Sequence, residues 1–186
     1  MSTEFIQPRF ESGQRGSQIL REFEHDPYHN HQKPVDGSTC PVCHASVRKG
    51  RWRWVSAPDL AAVKSIPPPV LTCPACRRIA ANDPAGIVQL GGAYFSLHLA
   101  EIMALIQHVA DREMTEHPLE RIMKLTDNAE FTTSTDHSSA DSVVITTTGI
   151  HIARALAHAV ERSHKGQLTQ HYNEGEQRVR VLWQRN

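Results

Sequence analysis

Cys40-Pro41-Val42-Cys43 and Cys73-Pro74-Ala75-Cys76 are two copies of one pattern, and they hold all four cysteines of the chain. Two residues between paired cysteines let both sulfurs of a tight turn face one metal ion, and two such knuckles complete a tetrahedral thiolate site. The pairs are separated by 29 residues, and a proline follows each leading cysteine. The spacing predicts a structural zinc site, one Zn2+ held by Cys40, Cys43, Cys73 and Cys76. Two redox dithiols or two disulfides are the alternative uses of such pairs, but no βαβ pattern surrounds either one. Rubredoxin-like iron sites also use two knuckles. Glycine often follows each pair there, whereas His44 and Arg77 stand at those places here.

Between the knuckles, Arg51-Trp52-Arg53-Trp54-Val55 alternates basic and apolar residues with period two, which is strand patterning. Trp52 and Trp54 fall on one face, Arg51 and Arg53 on the other. Pro58-Asp59 opens a short helix towards Lys64, and Pro67-Pro68-Pro69 stiffens the return to the second pair. Two knuckles on β-hairpins around one metal make a zinc ribbon over residues 40–80. That module has too little core to fold alone, so the metal supplies its stability.

The net charge of zero hides an asymmetry. Arg48, Lys49, Arg51, Arg53, Lys64, Arg77 and Arg78 face only Asp59 between Cys40 and Arg78, which makes this segment +6 and the remainder −6. A basic metal module on an acidic body suits a polyanionic partner; mutual neutralisation of the two halves is the plainer reading. Residues 1–39 are polar, with a short helical stretch over Gln18–Glu24, and read as a mostly disordered tail that becomes ordered near the knuckles. His25, His29 and His31 cluster there as flexible surface histidines.

Residues 90–186 read as an α+β domain. Phe95, Leu99, Ile102, Ile106 and Val109 recur at helical spacing within Tyr94–Glu116. Arg121–Leu125, Phe131–Thr135 and Ser142–Thr147 have strand character, with a Ser- and Asp-rich loop at 136–141. Thr148 is placed to cap a helix over 150–165 that buries Ile152, Ala153, Leu156, Ala157 and Val160, and Gly166 ends it. Leu168–Tyr172, Asn173-Glu174-Gly175 and Arg178–Gln184 form a closing hairpin with Val179, Val181 and Trp183 inward. The expected architecture is a zinc ribbon joined to helices packed on a mainly antiparallel sheet.

One series of residues carries a resemblance. It runs from His25-Asp26-Pro27-Tyr28 through both knuckles, Gly50-Arg51-Trp52-Arg53-Trp54 and Pro84-Ala85-Gly86. It continues with His117-Pro118-Leu119-Glu120-Arg121-Ile122, Thr146-Thr147-Thr148 and His151-Ile152-Ala153-Arg154, and ends with Val179-Arg180-Val181-Leu182-Trp183-Gln184-Arg185. The chain resembles an uncharacterised bacterial zinc-ribbon family, itself distantly similar to the N-terminal region of the archaeal and eukaryotic export adaptor of the large ribosomal subunit. The resemblance implies a cysteine–zinc module on a small α+β domain, with contact to the ribosome or ribosomal RNA.

These readings favour a non-enzymatic protein. There is no Gly-x-x-x-x-Gly-Lys-Ser/Thr phosphate loop and no cysteine left over as a nucleophile. A zinc with four protein thiolates has no open position for water. His117 and Glu120 read as a helix-end hydrogen bond or solvated surface rather than an acid/base pair. The expected interface is Arg48, Lys49, Arg51, Arg53, Arg77 and Arg78 for RNA phosphates, with Trp52 and Trp54 for stacking on unpaired bases. Burial of at least one tryptophan against the metal or the body is the competing expectation. The partners expected are ribosomal or single-stranded RNA, or alternatively another protein bound by an interaction adaptor or stress-linked regulator. No apolar run is long enough to span a bilayer, and Met1–Phe10 lacks a signal-peptide core, so a cytoplasmic protein with no membrane partner is expected.

Overall fold

The computed structural model describes residues 34–55, 69–127, 142–172 and 178–186. The tail histidines, the segment opening at Pro58, the stretch Phe131–Thr135 and the Asn173-Glu174-Gly175 turn lie outside these residues. Strands β1 (Ser46–Arg48) and β2 (Arg51–Arg53) form a separate two-stranded hairpin. Helix α1 (Pro74–Ala81) follows, then β3 (Gly86–Gly91), α2 (Ala93–Leu97), α3 (Leu99–Glu116), β4 (Ile122–Asp127), β5 (Ser142–Thr147), α4 (Ile150–His164), β6 (Gln167–Tyr172) and β7 (Val179–Gln184). The larger sheet has the order β4-β5-β3-β7-β6. It is mixed: β3 and β7 run parallel, and the other neighbours are antiparallel.

Register explains the core. Val88 sits opposite Ile145 on one side and Val181 on the other, and Leu90 is opposite Val143 and Trp183. Side chains alternate along a strand, so these residues share one face. They join Phe95, Ile102, Ile106 and Val109 of α2–α3 and Ile152, Leu156 and Val160 of α4 in a single buried cluster. Trp183 is fully buried and its Nε1–H donates to the Lys165 carbonyl at 2.7 Å, so the indole leaves no polar group unsatisfied. Gly86 lets α4 lie against β3, because a Cβ there would stand 2.4 Å from Thr147 Oγ1 and 2.5 Å from Ala153 Cβ.

Several expectations need correction. The central strand β3, unassigned in the sequence reading, starts at Gly86, before the expected domain boundary at 90. The helix expected over 94–116 is two helices broken at His98, whose φ of −114° leaves helical geometry. The break turns Leu99 out to 43 % exposure while Phe95 and Ile102 stay buried. Thr148 does not cap α4. Its hydroxyl donates to the Leu119 carbonyl at 2.6 Å and accepts from the Arg121 N–H at 2.8 Å. The N-cap residue is Gly149, and the Glu120 carboxylate reaches in to accept from the Ile152 N–H at 3.0 Å. A local side-chain cap has thus lost to two longer-range hydrogen bonds. Residues 34–39, expected at the end of the tail, belong with the hairpin: Gly37 N–H donates to Val47, Val47 N–H to Ser38, and Thr39 bridges both Ser46 and Val70.

Candidate metal centre

The two cysteine pairs are built differently. Ahead of the hairpin, His44 N–H donates to the Cys40 carbonyl at 2.9 Å, and His44 takes φ 62°, the left-handed conformation that glycine would adopt more readily. The β1–β2 turn that follows is Lys49-Gly50, with φ of 52° and 72°; both residues left-handed is the twist-matched two-residue hairpin turn. The second pair sits on no hairpin. Cys73 is the N-cap of α1, its sulfur accepts from the Cys76 N–H at 3.4 Å, and Pro74 occupies the first turn, where a missing N–H costs nothing. A helix N-terminus also favours negative charge, which suits thiolates. The hairpin expected around Cys73–Cys76 is therefore a helix start.

The two turns converge. The four sulfurs lie within 4.8 Å of one another and none is in a disulfide. Cys43 Sγ and Cys73 Sγ are 3.7 Å apart. Sulfurs about 2.3 Å from a central zinc in a regular tetrahedron are about 3.8 Å from each other, so this edge fits a tetrathiolate. Cys40, Cys73 and Cys76 are buried and Cys43 is half-buried. The Cys73 N–H donates to Cys40 Sγ at 3.4 Å, so each knuckle supports the other. The site can hold a metal ion. As thiols the four are unequal. Burial works against ionising Cys40, but the N–H groups of Cys73, Cys43 and Val42 outweigh it and bring its pKa down to about 6. Burial pushes Cys73 and Cys76 upwards.

Arg121, absent from the predicted site, completes the centre. It stands just before β4, its backbone fixed in both directions by Thr148: Arg121 N–H donates to Thr148 Oγ1, and Thr148 N–H donates to the Arg121 carbonyl. Its Nε donates to the Pro118 carbonyl at 2.6 Å. Nη2 donates to Cys43 Sγ at 3.0 Å and Nη1 to Cys76 Sγ at 3.5 Å, so one guanidinium touches both knuckles. Burial opposes its charge, but the hydrogen bond to Cys43 and the negative charge of Cys43, Cys73 and Cys76 raise its pKa further and keep it cationic. Nothing local marks Arg121, because its partner Cys43 is 78 residues away.

The predicted interface residues separate. Trp52 and Leu119 pack against the cysteine cluster. Trp54 is 40 % exposed, donates its Nε1–H to the Met114 carbonyl at 2.6 Å, and lies 5.3 Å from the Arg121 guanidinium. Both tryptophans thus serve the metal or its junction with the body. Arg48, Lys49, Arg51 and Arg53 surround a single depression at the hairpin. Arg77 lies half-buried on α1, away from that group. Arg78 is buried and pairs with Asp83, which also binds Arg178 at 2.6 Å, so Arg78 is corrected from an interface residue to a structural one. Glu120, read with His117 as a hydrogen bond at the end of the preceding helix or as solvated surface, accepts instead from the Ile152 N–H at the start of α4.

Among the described residues, no helix is long and apolar enough to cross a membrane. The chain matches no family model, no curated protein and no solved structure.

Proposed function

We propose that this chain is a non-enzymatic zinc protein that binds RNA, ribosomal or single-stranded, through its β1–β2 hairpin. Zinc is favoured by four cysteine donors, the 3.7 Å sulfur–sulfur edge and the N–H···S and guanidinium contacts around them. Four protein thiolates fill the coordination sphere, so the metal's role is to join the hairpin to α1 and not to activate water. In this reading the two cysteine pairs belong to a zinc ribbon whose second knuckle has become a helix N-terminus. The resemblance to bacterial zinc-ribbon proteins and, more distantly, to a ribosomal export adaptor supports the same assignment.

The observation that carries the RNA reading is the gathering of Arg48, Lys49, Arg51 and Arg53 around one depression, with no acidic residue in its lining. Four basic side chains on one short hairpin offer a polyanion a concentrated set of phosphate contacts. The test is binding of the zinc-loaded protein to fluorescent single-stranded RNA and to ribosomal RNA fragments over a salt series. Engagement of all four cations gives a log–log salt slope of about −3. Absence of binding, or affinity indifferent to salt, refutes the RNA reading, and a protein captured equally well after nuclease treatment replaces it with a protein-adaptor role. Elemental analysis tests the metal: one colourless zinc per chain is expected, and iron with a red chromophore moves the protein to electron transfer.

A further inference from the structure

Between the hairpin and the body lies a cleft of about 620 Å³, within the roughly 300–1,000 Å³ of small-ligand sites. Gly50, Arg51 and Trp52 form the hairpin wall. The opposite wall is the end of α3, the loop 117–120 and the first turn of α4. Trp52, Pro118 and Leu119 give it an apolar floor, while Arg51, His117 and His151 are exposed at its rim. Its two acids are already engaged: Glu120 accepts from the Ile152 N–H, and Glu113 pairs with Arg112. Glu120 keeps its charge, so the cleft offers an indole and aliphatic surface, with the Arg51 guanidinium and two imidazoles at the edge beside one carboxylate.

We propose that this cleft receives one unpaired nucleotide of a single-stranded RNA, its base against Trp52 and Leu119 and its phosphate at Arg51. The proposal rests on the RNA reading above and assigns it a base-binding half. Continuity with the basic depression selects this occupant. Arg51 belongs both to the cleft and to the basic depression with Arg48, Lys49 and Arg53, so a strand entering the cleft has its neighbouring phosphates led along the hairpin. An apolar slot with one aromatic wall suits a base, which presents a flat π-face and hydrogen-bonding edges. Trp52 and Leu119 also pack on the cysteine cluster, so the metal and the nucleotide share a wall. Linkage then requires that filling the cleft raise metal affinity if the metal holds that wall in place.

The experiment compares a short oligoadenylate with an abasic oligonucleotide carrying the same number of phosphates, by fluorescence anisotropy on the full zinc-loaded chain. The base-bearing strand is expected to bind about fivefold tighter or more, the lower end for one base stacked on an aromatic ring. A His117→Ala, His151→Ala double variant, altered only at exposed rim positions, removes side chains that can hydrogen-bond the base edge and narrows the difference between the two affinities. Lys49→Glu with Arg53→Glu, outside the cleft, weakens both strands by the same factor. Equal, salt-dependent affinity for both strands in the unaltered protein overturns the nucleotide site and leaves hairpin–phosphate binding standing. Binding of neither strand removes the RNA reading and the cleft with it. A second readout is equilibrium zinc affinity in competition with a chromophoric chelator, expected to rise with oligoadenylate and not with the abasic strand; identical affinities refute the shared wall.

Discussion

Replacing Arg121 with methionine isolates the junction between the metal centre and the body. Methionine keeps much of the aliphatic stem that packs there, and removes the charge and every donor. Four thiolates around a divalent zinc carry a net charge of −2, and Arg121 is the cation that hydrogen-bonds two of them, at 3.0 and 3.5 Å. A hydrogen bond to a charged group contributes about 1.5–3 kcal/mol when well formed. Only the shorter contact qualifies, and Arg121 is half-buried, so solvent screening lowers its worth towards the bottom of that range. The expected loss is about 1.5 kcal/mol of zinc affinity, or about 10-fold, the lower end of the usual effect of removing an outer-shell partner. The assay is an equilibrium competition for zinc against a chromophoric chelator of known affinity. Circular dichroism confirms that the body, with its separate cluster of Val88, Leu90, Ile145 and Trp183, remains folded. Arg121→Lys retains the charge but not the forked geometry and is expected to fall between the two. A methionine variant with unchanged zinc affinity and an intact body refutes the claim that the guanidinium stabilises the thiolate site.

Other consequences are direct. Cys73→Ser removes a candidate thiolate ligand while its hydroxyl can still cap α1, so the variant is expected to lose stoichiometric metal and to unfold the hairpin module before the larger sheet; metal retained at one per chain speaks against the ligand assignment. In the chelated, reduced protein, Cys40 titrates near 6 against 9.0 when unfolded. A depressed acid stabilises the fold above the unfolded value and loses that contribution as pH falls through the folded one, so stability falls between pH 9 and 6. Cys73, raised above 9.0, stays protonated where the unfolded thiol ionises, so stability also falls above pH 9. Urea midpoints that stay flat across both windows contradict this. Gly86→Ala places a Cβ within 2.4 Å of Thr147 Oγ1 and 2.5 Å of Ala153 and is expected to cost about 1–3 kcal/mol in urea unfolding by forcing α4 away from β3. An unchanged midpoint shows that the close approach is not needed.

What could be read from the sequence and what could not divide along physical lines. Elements whose signal is periodic and local were legible. β7 alternates Val179, Val181 and Trp183 inward with Arg180 and Leu182 outward, and α4 buries Ile152, Ala153, Leu156, Ala157 and Val160 on one stripe. The four cysteines were legible for a different reason, since their spacing carries chemistry. β3 was not, although it is the centre of the sheet. Gly86-Ile87-Val88-Gln89-Leu90-Gly91 has a single polar residue to mark an alternation and ends in glycines that look like a lead-in to a helix. Its identity as a strand comes from β5 and β7 pairing along both of its edges. Polar side chains with several possible partners were the least legible. Thr148 looks like a cap by its place before a helix, yet it bonds across to the segment at Leu119 and Arg121, and Glu120 takes the position at the helix end.

Those same unreadable contacts explain how a metal module with so little core becomes part of a larger fold. Leu119 packs on the cysteines, Glu120 engages the start of α4, and Arg121 reaches the sulfurs, so three consecutive residues tie the metal, the helix and the sheet together. Thr148, at the end of β5, fixes the backbone of that triplet. On the other side, Trp54 bonds the end of α3 and lies against the same arginine. The junction is largely polar and depends on charge at the sulfurs, unlike the apolar core of the sheet. A thiolate centre that loses its metal and is protonated no longer matches the Arg121 guanidinium. The Trp54 hydrogen bond and the contacts of Trp52 and Leu119 do not depend on that charge and remain. Loss of a bound metal is therefore expected to loosen the hairpin against the body without releasing it.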